Sequence, residues 1–295
     1  MLILPAIQAR LGAIPRLLYR LHLLNLDVAL GALASNLMVR HVLQTPAYSP
    51  VSYFILGSTV WMIYTVDRLW DVYRTKGFPA SPRHQFHSDH RKSLWWAVVA
   101  LTILTAIASL YFLPLQVIWF GLVLTLLVAL YLWVVHWLSA NRQNWFQKEP
   151  LVAVLYTAGV WGPVMALNGS VSAMQWVLCL IFAGIAFQNL LLFSLFDLEN
   201  DLQKQERSLA TSWGPKRSGR VLNWLFAGIL LTCLIIRLSF SREGRGWEVA
   251  TIEAAMSLVL FVISCFPNWF RRNERFRWIG DGIFFMPLLV WVANN

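Results

Sequence analysis

Residues 115–138 read LQVIWFGLVLTLLVALYLWVVHWL, and this run contains no Asp, Glu, Lys or Arg. A helix needs about 20 apolar residues to cross the hydrocarbon core of a bilayer, and this run is long enough. Similar runs recur along the chain, which has 295 residues, of which 58% are hydrophobic and 13% are charged. Because a soluble domain cannot bury that much apolar surface, the sequence predicts an all-α, polytopic membrane protein.

The apolar runs predict about nine transmembrane helices bundled around a central cavity, in a single membrane domain that covers residues 1–295. The predicted spans are residues 21–43, 50–72, 93–112, 115–138, 150–168, 174–197, 219–238, 249–266 and 277–293. Residues 1–20 carry three arginines and two prolines among apolar residues. That composition favours a basic segment that lies on the membrane surface over a cleavable signal peptide.

The net charge of +10 raises the question of a nucleic-acid partner, but the distribution of the basic residues indicates a membrane instead. With the N-terminus in the cytoplasm, most lysines and arginines fall on the cytoplasmic side, and only Arg40, Arg237, Arg242 and Arg245 fall on the opposite side. This bias follows the positive-inside rule. We therefore expect a multi-pass protein of the cell (inner) membrane, surrounded by the lipid bilayer, whose functional side faces the cytoplasm. Neither a nucleic-acid nor a protein partner is predicted.

Two pairs of aspartates end predicted spans on the cytoplasmic side, Asp67 with Asp71 and Asp197 with Asp201. In each pair the aspartates lie four residues apart, a spacing that stacks both side chains on one face of a helix. We expect the two pairs to turn four carboxylates toward one cavity, where divalent cations are the natural counter-charge. A long basic loop follows each pair, near residues 73–92 and 198–217. The arrangement suggests chemistry on a diphosphate at the membrane surface.

The second pair opens the stretch Asp197-Leu-Glu-Asn-Asp201-Leu-Gln-Lys204-Gln-Glu-Arg207-Ser208-Leu-Ala210. A membrane protein of about nine helices, with aspartate-rich motifs that end helices 2 and 6, resembles the UbiA-type intramembrane prenyltransferase superfamily. Members of this family carry an aspartate, three residues, a second aspartate and a short basic stretch that ends in Lys-Ser-Thr-Ala or a similar sequence. The acids, the basic residue before the serine and the alanine all match in this chain.

The first motif departs from the family pattern, which is Asn-Asp-x-x-Asp-x-x-x-Asp. When its last two aspartates are aligned with Asp67 and Asp71, Ile63 and Tyr64 stand where Asn and Asp belong. The chain therefore resembles a divergent member of the family, with two potential ligands missing.

A third segment, Gly159-Val-Trp-Gly-Pro163, is similar to the Gly/Pro-containing segment of helix 5 in the family. Lys148 and Arg142 are both candidates for the basic residue that precedes this segment in the family.

The resemblance implies an enzyme that transfers a prenyl group from a polyprenyl diphosphate to a lipophilic acceptor, with Mg²⁺ as its cofactor. Mg²⁺ usually binds one or two carboxylates together with phosphate oxygens and waters. The four aspartates are then both the metal ligands and the catalytic residues. The further candidates for substrate binding are Arg68, Lys204 and Arg207 for phosphate oxygens, Tyr64 and Phe193 as rings that shelter an allylic cation, and Asn189 on the face of Asp197.

Other functions stay open at this point. If the distant double bond of the substrate captures its own cation, the product is a cyclic terpene, and the incomplete first motif favours such a terpene cyclase as the alternative. A non-catalytic protein that binds or transports a lipid diphosphate is the third reading. Transporters place their charged groups near the bilayer midplane, however, whereas these acids cluster at one face. A purely structural reading, in which Asp67 and Asp71 pair with Arg68 or Arg74, also stays open.

A second polar cluster is Arg83-His84-Gln-Phe-His87-Ser-Asp89-His90. Histidine and aspartate are zinc ligands, but His84 and His90 are six residues apart and drift off a common helix face. The pattern therefore favours a basic, polar cytoplasmic helix over a zinc site. Inside the predicted spans, Glu253 lies near the opposite membrane face, and we expect it to pair locally because an isolated acid is costly there.

Overall fold

The computed structural model describes residues 21–45, 49–74, 82–140, 148–204, 207–239 and 245–293. Every regular element in these residues is helical, which confirms the all-α class. Residues 1–20, predicted to form a basic surface segment, lie outside the described residues, and so does Arg142.

The helices in chain order are α1 (Leu26–Leu43), α2 (Pro50–Arg74), α3 (Pro82–Asp89), α4 (Arg91–Phe112), α5 (Leu115–Ala140), α6 (Lys148–Leu167), α7 (Ala173–Lys204), α8 (Leu209–Trp213), α9 (Pro215–Ser239), α10 (Arg245–Cys265), α11 (Pro267–Arg271), α12 (Arg275–Gly282) and α13 (Leu288–Ala293). Two 3₁₀ turns, Arg272–Glu274 and Ile283–Phe285, precede and follow α12.

Seven of these helices, namely α1, α4, α5, α6, α7, α9 and α10, are long and apolar enough to cross a membrane. The chain is therefore a multi-pass membrane protein. Two of the predicted spans are not among the seven. α2 has 25 residues, which is a sufficient length, but its polar and acidic side chains make it less apolar. The last predicted span, 277–293, is divided between α12, a 3₁₀ turn and α13. The count of about nine spans stays a prediction.

The first predicted span, residues 21–43, is interrupted near its start. The chain turns at Leu24 and Asn25 before α1 begins. Asn25 has a φ of 56°, in the left-handed region that asparagine adopts more readily than most residues with a β-carbon. Its backbone N–H donates to the His22 carbonyl at 3.2 Å and closes the turn.

The chain divides into two compact units. Within the described residues, the first unit holds residues 21–33 and 49–113, and the second holds residues 34–45 and 114–293. The two halves of α1 therefore belong to different units, and the prediction of a single domain stays a prediction.

In the first unit, α2 packs against α3 and α4. The indole N–H of Trp61 donates to the Leu24 carbonyl at 2.8 Å, so α2 stabilises the turn that precedes α1. Gly57 permits a close approach of the two helices, since a β-carbon there would lie 3.3 Å from Leu33 Cδ1. These contacts fix α2, which carries the first aspartate pair.

In the second unit, α7 is the central helix and packs against α6, α8, α9, α10 and α12. Phe182 of α7 is fully buried, and its ring packs with the rings of Tyr156, Trp161 and Phe284 at centroid distances of 6.0, 6.3 and 5.8 Å. Lipid tails are as apolar as these side chains, so close packing rather than exclusion from water holds such a cluster together.

Polar side chains join the helices of the second unit. Between α7 and α10, the Gln188 amide donates to the Ser257 carbonyl at 3.3 Å and accepts from the Ser257 hydroxyl at 2.7 Å. The Asn36 amide of α1 donates to the Val160 carbonyl of α6 at 2.8 Å and accepts from Arg40 Nε at 3.1 Å. Hydrogen bonds of this kind contribute to helix association in membranes.

Glu253 of α10 is fully buried one turn before Ser257. Within the part of the chain that the structure describes, neither of its carboxylate oxygens has a hydrogen-bond partner. The prediction that Glu253 pairs locally is therefore wrong for the described residues. Burial among the packed helices separates the carboxylate from water, and the sequence spacing did not reveal that no hydrogen bond replaces it.

Replacement of this acid by an apolar side chain of similar size, E253M, should stabilise the protein. A buried polar group without a partner costs about 1–3 kcal/mol, so the thermal midpoint in detergent should rise by a few degrees, at roughly 2–4 °C per kcal/mol. The matched control is S257A, one turn away, which removes a satisfied hydrogen bond and should lower the midpoint. A lower midpoint for E253M would mean that the carboxyl group is satisfied after all.

Candidate functional site

Asp67 and Asp71 lie in the last two turns of α2, in the first unit. The helix is unbroken through both residues, so the expected stacking of the two positions on one face holds for the backbone. Tyr64, Asp67 and Arg68 are each half-buried. The side chain of Asp71 lies outside the described residues.

Asp197 and Asp201 lie near the end of α7, in the second unit, and both side chains are half-buried. α7 continues past them to Lys204, whose side chain lies outside the described residues. The predicted loop at 198–217 is therefore largely helical, since α7, α8 and the start of α9 take up most of it.

Asn189, Phe193 and Asp197 follow one another at intervals of four residues along α7, and α12 packs against the same helix. Gly280 of α12 allows this approach, because a β-carbon there would lie 2.7 Å from Asn189 Oδ1 and 2.6 Å from Phe193 Cε1. Asn189 is buried, and its Oδ1 has no hydrogen-bond partner among the described residues. A buried acceptor without a partner is uncommon in folded proteins and requires an explanation, of which a bound ligand is one.

The charged end of this face is closed by Arg277 of α12. Its Nη2 donates to Asp197 Oδ2 at 2.5 Å, and its Nε lies 3.5 Å from Glu274 Oε2. The guanidinium carbon lies 5.8 Å from the ring centroid of Phe193 and 5.1 Å from that of Phe276. Sequence reasoning missed Arg277, because nothing in the chain links it to an aspartate 80 residues earlier.

A second ion pair joins the neighbouring part of the chain to α7 but differs in exposure. Arg271 Nη1 lies 3.3 Å from Glu199 Oε1, and the two side chains are 45% and 75% exposed, against 27% and 22% for Arg277 and Asp197. Solvent-exposed ion pairs of this kind contribute little to stability. The side chains of Arg277 and Asp197 are less exposed, so solvent and salt screen their attraction less.

Two residues of the motif after Asp201, Ser208 and Ala210, have structural roles at the start of α8. The Ser208 N–H donates to Thr211 Oγ1 at 2.8 Å at the start of α8. The Ala210 N–H donates to Ser194 Oγ at 2.9 Å, and Ala210 is fully buried, so only a small side chain fits there. Arg207, directly before the serine, is exposed.

Glu149 holds α8 in place and was not anticipated from the sequence. Its side chain is buried at the start of α6, and its Oε1 accepts a hydrogen bond from the Leu209 N–H at 2.8 Å. Lys148, the residue before it, is exposed and remains a candidate for the basic residue of this segment. Further along α6, Gly162 permits close packing against α5, because a β-carbon there would overlap the Phe120 ring.

The histidine cluster does not bring its side chains together as far as the structure describes them. His87 is fully buried in the first unit, with its Nε2 3.3 Å from Asn25 Nδ2. His90 is exposed and stacks on the Phe86 ring at 4.4 Å. The side chain of His84 lies outside the described residues. The separation of His87 from His90 favours a structural role for this segment.

The aspartates of α7 fit a divalent cation by the chemistry of their donors. Within either unit taken alone, no three described His, Cys, Asp or Glu side chains bring ligand atoms within 4.8 Å of one another, so neither unit holds a complete protein cage. Mg²⁺ does not require one, because it takes one or two carboxylates and completes its octahedron with phosphate oxygens and waters. Asp197 already faces a positive charge, that of Arg277.

No family model, no curated protein and no solved structure matches the chain. The resemblance to the UbiA-type prenyltransferases therefore rests on the sequence motifs and the helical layout described above, and it stays a prediction.

Removal of the Glu149 carboxylate should loosen the segment that carries Arg207. In E149A the buried N–H of Leu209 loses its acceptor, at a cost of about 1–3 kcal/mol, and hydrogen exchange in residues 207–214 should accelerate by roughly tenfold or more. E149Q is the matched control, because its amide oxygen still accepts from Leu209. The measurement is hydrogen exchange followed by mass spectrometry. Equal exchange rates in wild type and E149A would show that the hydrogen bond between Glu149 and Leu209 does not stabilise this segment.

Proposed function

We propose that this protein is a Mg²⁺-dependent intramembrane prenyltransferase, which transfers a prenyl group from an isoprenyl diphosphate to a lipophilic acceptor at the cytoplasmic face of the cell membrane. The order of side chains along α7 carries this proposal. The rings around Phe182 lie in the apolar part of the helix, and Asn189, Phe193 and the ion pair of Asp197 with Arg277 follow toward its end. A ligand with a long apolar tail and a charged head has the same order of chemistry.

The charges near the end of α7 suit a diphosphate leaving group. Asp197 and Asp201 would hold Mg²⁺, and the resemblance adds Asp67 and Asp71 to the ligands. When bound, the metal neutralises the charge that develops on the diphosphate as the C–O bond breaks. Arg68, Arg207 and Lys204 would bind phosphate oxygens, the arginines in bidentate fashion.

The apolar part of the substrate requires rings and the exclusion of water. Phe193 packs edge-to-face on Phe276 at 5.6 Å, one turn before Asp197, so its ring lies close to where the allylic carbon would separate from the diphosphate. A ring face stabilises a nearby cation by about 0.5–2 kcal/mol. Asn189 Oδ1, which lacks a partner among the described residues, would orient the bound diphosphate or acceptor through a hydrogen bond.

A terpene cyclase that acts on the same substrates is the second candidate. Two observations favour it: Ile63 and Tyr64 replace two acidic or amide ligands of the family motif, and the second unit contains the packed rings of Tyr156, Phe182 and Phe284. A cyclase needs such rings along the folded tail and needs no second substrate. The products formed without an acceptor distinguish the two reactions.

The test is pyrophosphate release by the purified protein given geranyl, farnesyl or geranylgeranyl diphosphate, with Mg²⁺ or with EDTA. We expect metal-dependent release that requires added membrane lipid extract as the source of the acceptor. Release without extract, with a cyclic hydrocarbon or alcohol as the product, would establish the cyclase instead. No pyrophosphate release under any condition would rule out both enzymatic functions and favour the binding or transport function.

In the same assay D67A and D197A should each lower the rate by roughly 100-fold or more, the loss seen when one charge-stabilising group is removed from an active site. The matched control is E199Q, which removes an acid between Asp197 and Asp201 whose side chain is 75% exposed and pairs with Arg271. Its rate should stay within about twofold of wild type. Unchanged rates in both aspartate variants would show that Asp67 and Asp197 do not form the active site.

A further inference from the structure

Arg277 is more constrained than its exposed neighbours on the same stretch of chain. Its side chain is 27% exposed and bridges Asp197 on α7 and Glu274, three residues before it. The Phe193 and Phe276 rings both lie within 6 Å of its guanidinium carbon. A guanidinium carries five N–H donors, and these two carboxylates engage only part of them. The position therefore suits an arginine that has a further anionic partner.

The backbone that leads into α12 is strained in a way that places Arg277. Asn273 and Glu274 adopt φ of 57° and 53°, two consecutive left-handed residues of which neither is glycine. This conformation is unfavourable for residues with a β-carbon, and glutamate has none of the local hydrogen bonds that let asparagine adopt it. Such conformations persist where the surrounding structure enforces them, and they concentrate at functional sites. The Glu274 carboxylate lies 3.5 Å from Arg277 Nε, so this part of the backbone is joined to the arginine.

We propose that Arg277 is a diphosphate-binding residue that holds the Asp197 carboxylate until the substrate arrives. This inference rests on the proposed function and adds a residue and an order of binding to it. When the diphosphate enters with its metal, the Asp197 carboxylate turns to the metal and the Arg277 guanidinium turns to a phosphate oxygen. Each charge exchanges one partner for another, so neither is left unpaired in a partly buried site, where an unpaired charge is costly.

The exchange has a consequence for binding. A metal ion that arrived alone would compete with Arg277 for Asp197 and would leave the guanidinium with the more exposed Glu274 only, so it would bind weakly. A metal ion that arrives with a diphosphate supplies the guanidinium with a new partner. The two ligands are therefore expected to be positively coupled through Arg277. Removal of the arginine would free Asp197 for a metal ion but take a donor from the diphosphate, so the two affinities should change in opposite directions. The rings of Phe193 and Phe276 keep the guanidinium near its place during the exchange.

The test uses the full chain in lipid nanodiscs and two probes, Mn²⁺ alone, followed by electron paramagnetic resonance, and inorganic pyrophosphate with Mg²⁺, followed by calorimetry. In R277Q we expect Mn²⁺ alone to bind about tenfold more tightly and pyrophosphate with Mg²⁺ to bind about tenfold more weakly. R271Q is the matched control, with the same change of charge at the exposed pair with Glu199, and both of its affinities should stay within about twofold of wild type.

A purely structural arginine would give a different pattern, since its loss would weaken both ligands together. That result, or an R277Q variant that behaves like R271Q, would overturn the proposal while the proposed function stands. R277K, which keeps the charge but loses the planar fork, should restore the weak Mn²⁺ binding but only part of the pyrophosphate affinity. The D197A variant tests the metal site itself, independently of Arg277. If wild type and D197A bind Mn²⁺ equally, the metal site of the proposed function fails, and the role of Arg277 fails with it.

Discussion

The second unit depends on one constraint, which is that a polar side chain inside an apolar helix bundle has no water to bond with. Gln188 and Ser257 satisfy each other between α7 and α10, and Asn36 satisfies the Val160 carbonyl of α6. These bonds fix how the helices are rotated as well as how closely they pack, because each has a direction that packing between apolar side chains lacks. The rotation of α7 then decides that Asn189, Phe193 and Asp197 lie against α12.

The same constraint makes buried polar groups without hydrogen-bond partners informative. Asn189 Oδ1 and the Glu253 carboxylate are both buried and lack partners among the described residues, yet their surroundings differ. Asn189 lies against α12, on the helix face that ends in the charged pair of Asp197 and Arg277. Glu253 lies among packed side chains one turn before Ser257, and no charged group of the described residues pairs with it. A buried group without a partner requires an explanation, and the charged pair on the same helix face makes a ligand a candidate explanation at Asn189 but not at Glu253.

Features set by local sequence could be predicted, whereas features set by distant contacts could not. Long apolar runs predicted the seven membrane helices, and the spacing of Asp197 and Asp201 predicted that both lie on one face of a helix. The interruption at Asn25 and the division of the last predicted span escaped prediction, since hydropathy averages over a window and does not register a single left-handed residue. Glu149 and Arg277 escaped it because their partners lie 60 and 80 residues away.

The ion pair of Asp197 and Arg277 follows from where α7 ends. An aspartate in the last turns of a membrane helix lies between lipid, which rejects its charge, and water, which screens it. A partly buried cation on α12 stabilises the carboxylate in this structure. Under the proposed function, a metal ion with its own anion would do so in the bound state. The proposed ligands are a doubly charged cation and a multiply charged anion, and a site for both would stay electrically balanced only if the protein supplied both signs. The carboxylate and the guanidinium are those two signs, and they neutralise each other at the end of α7.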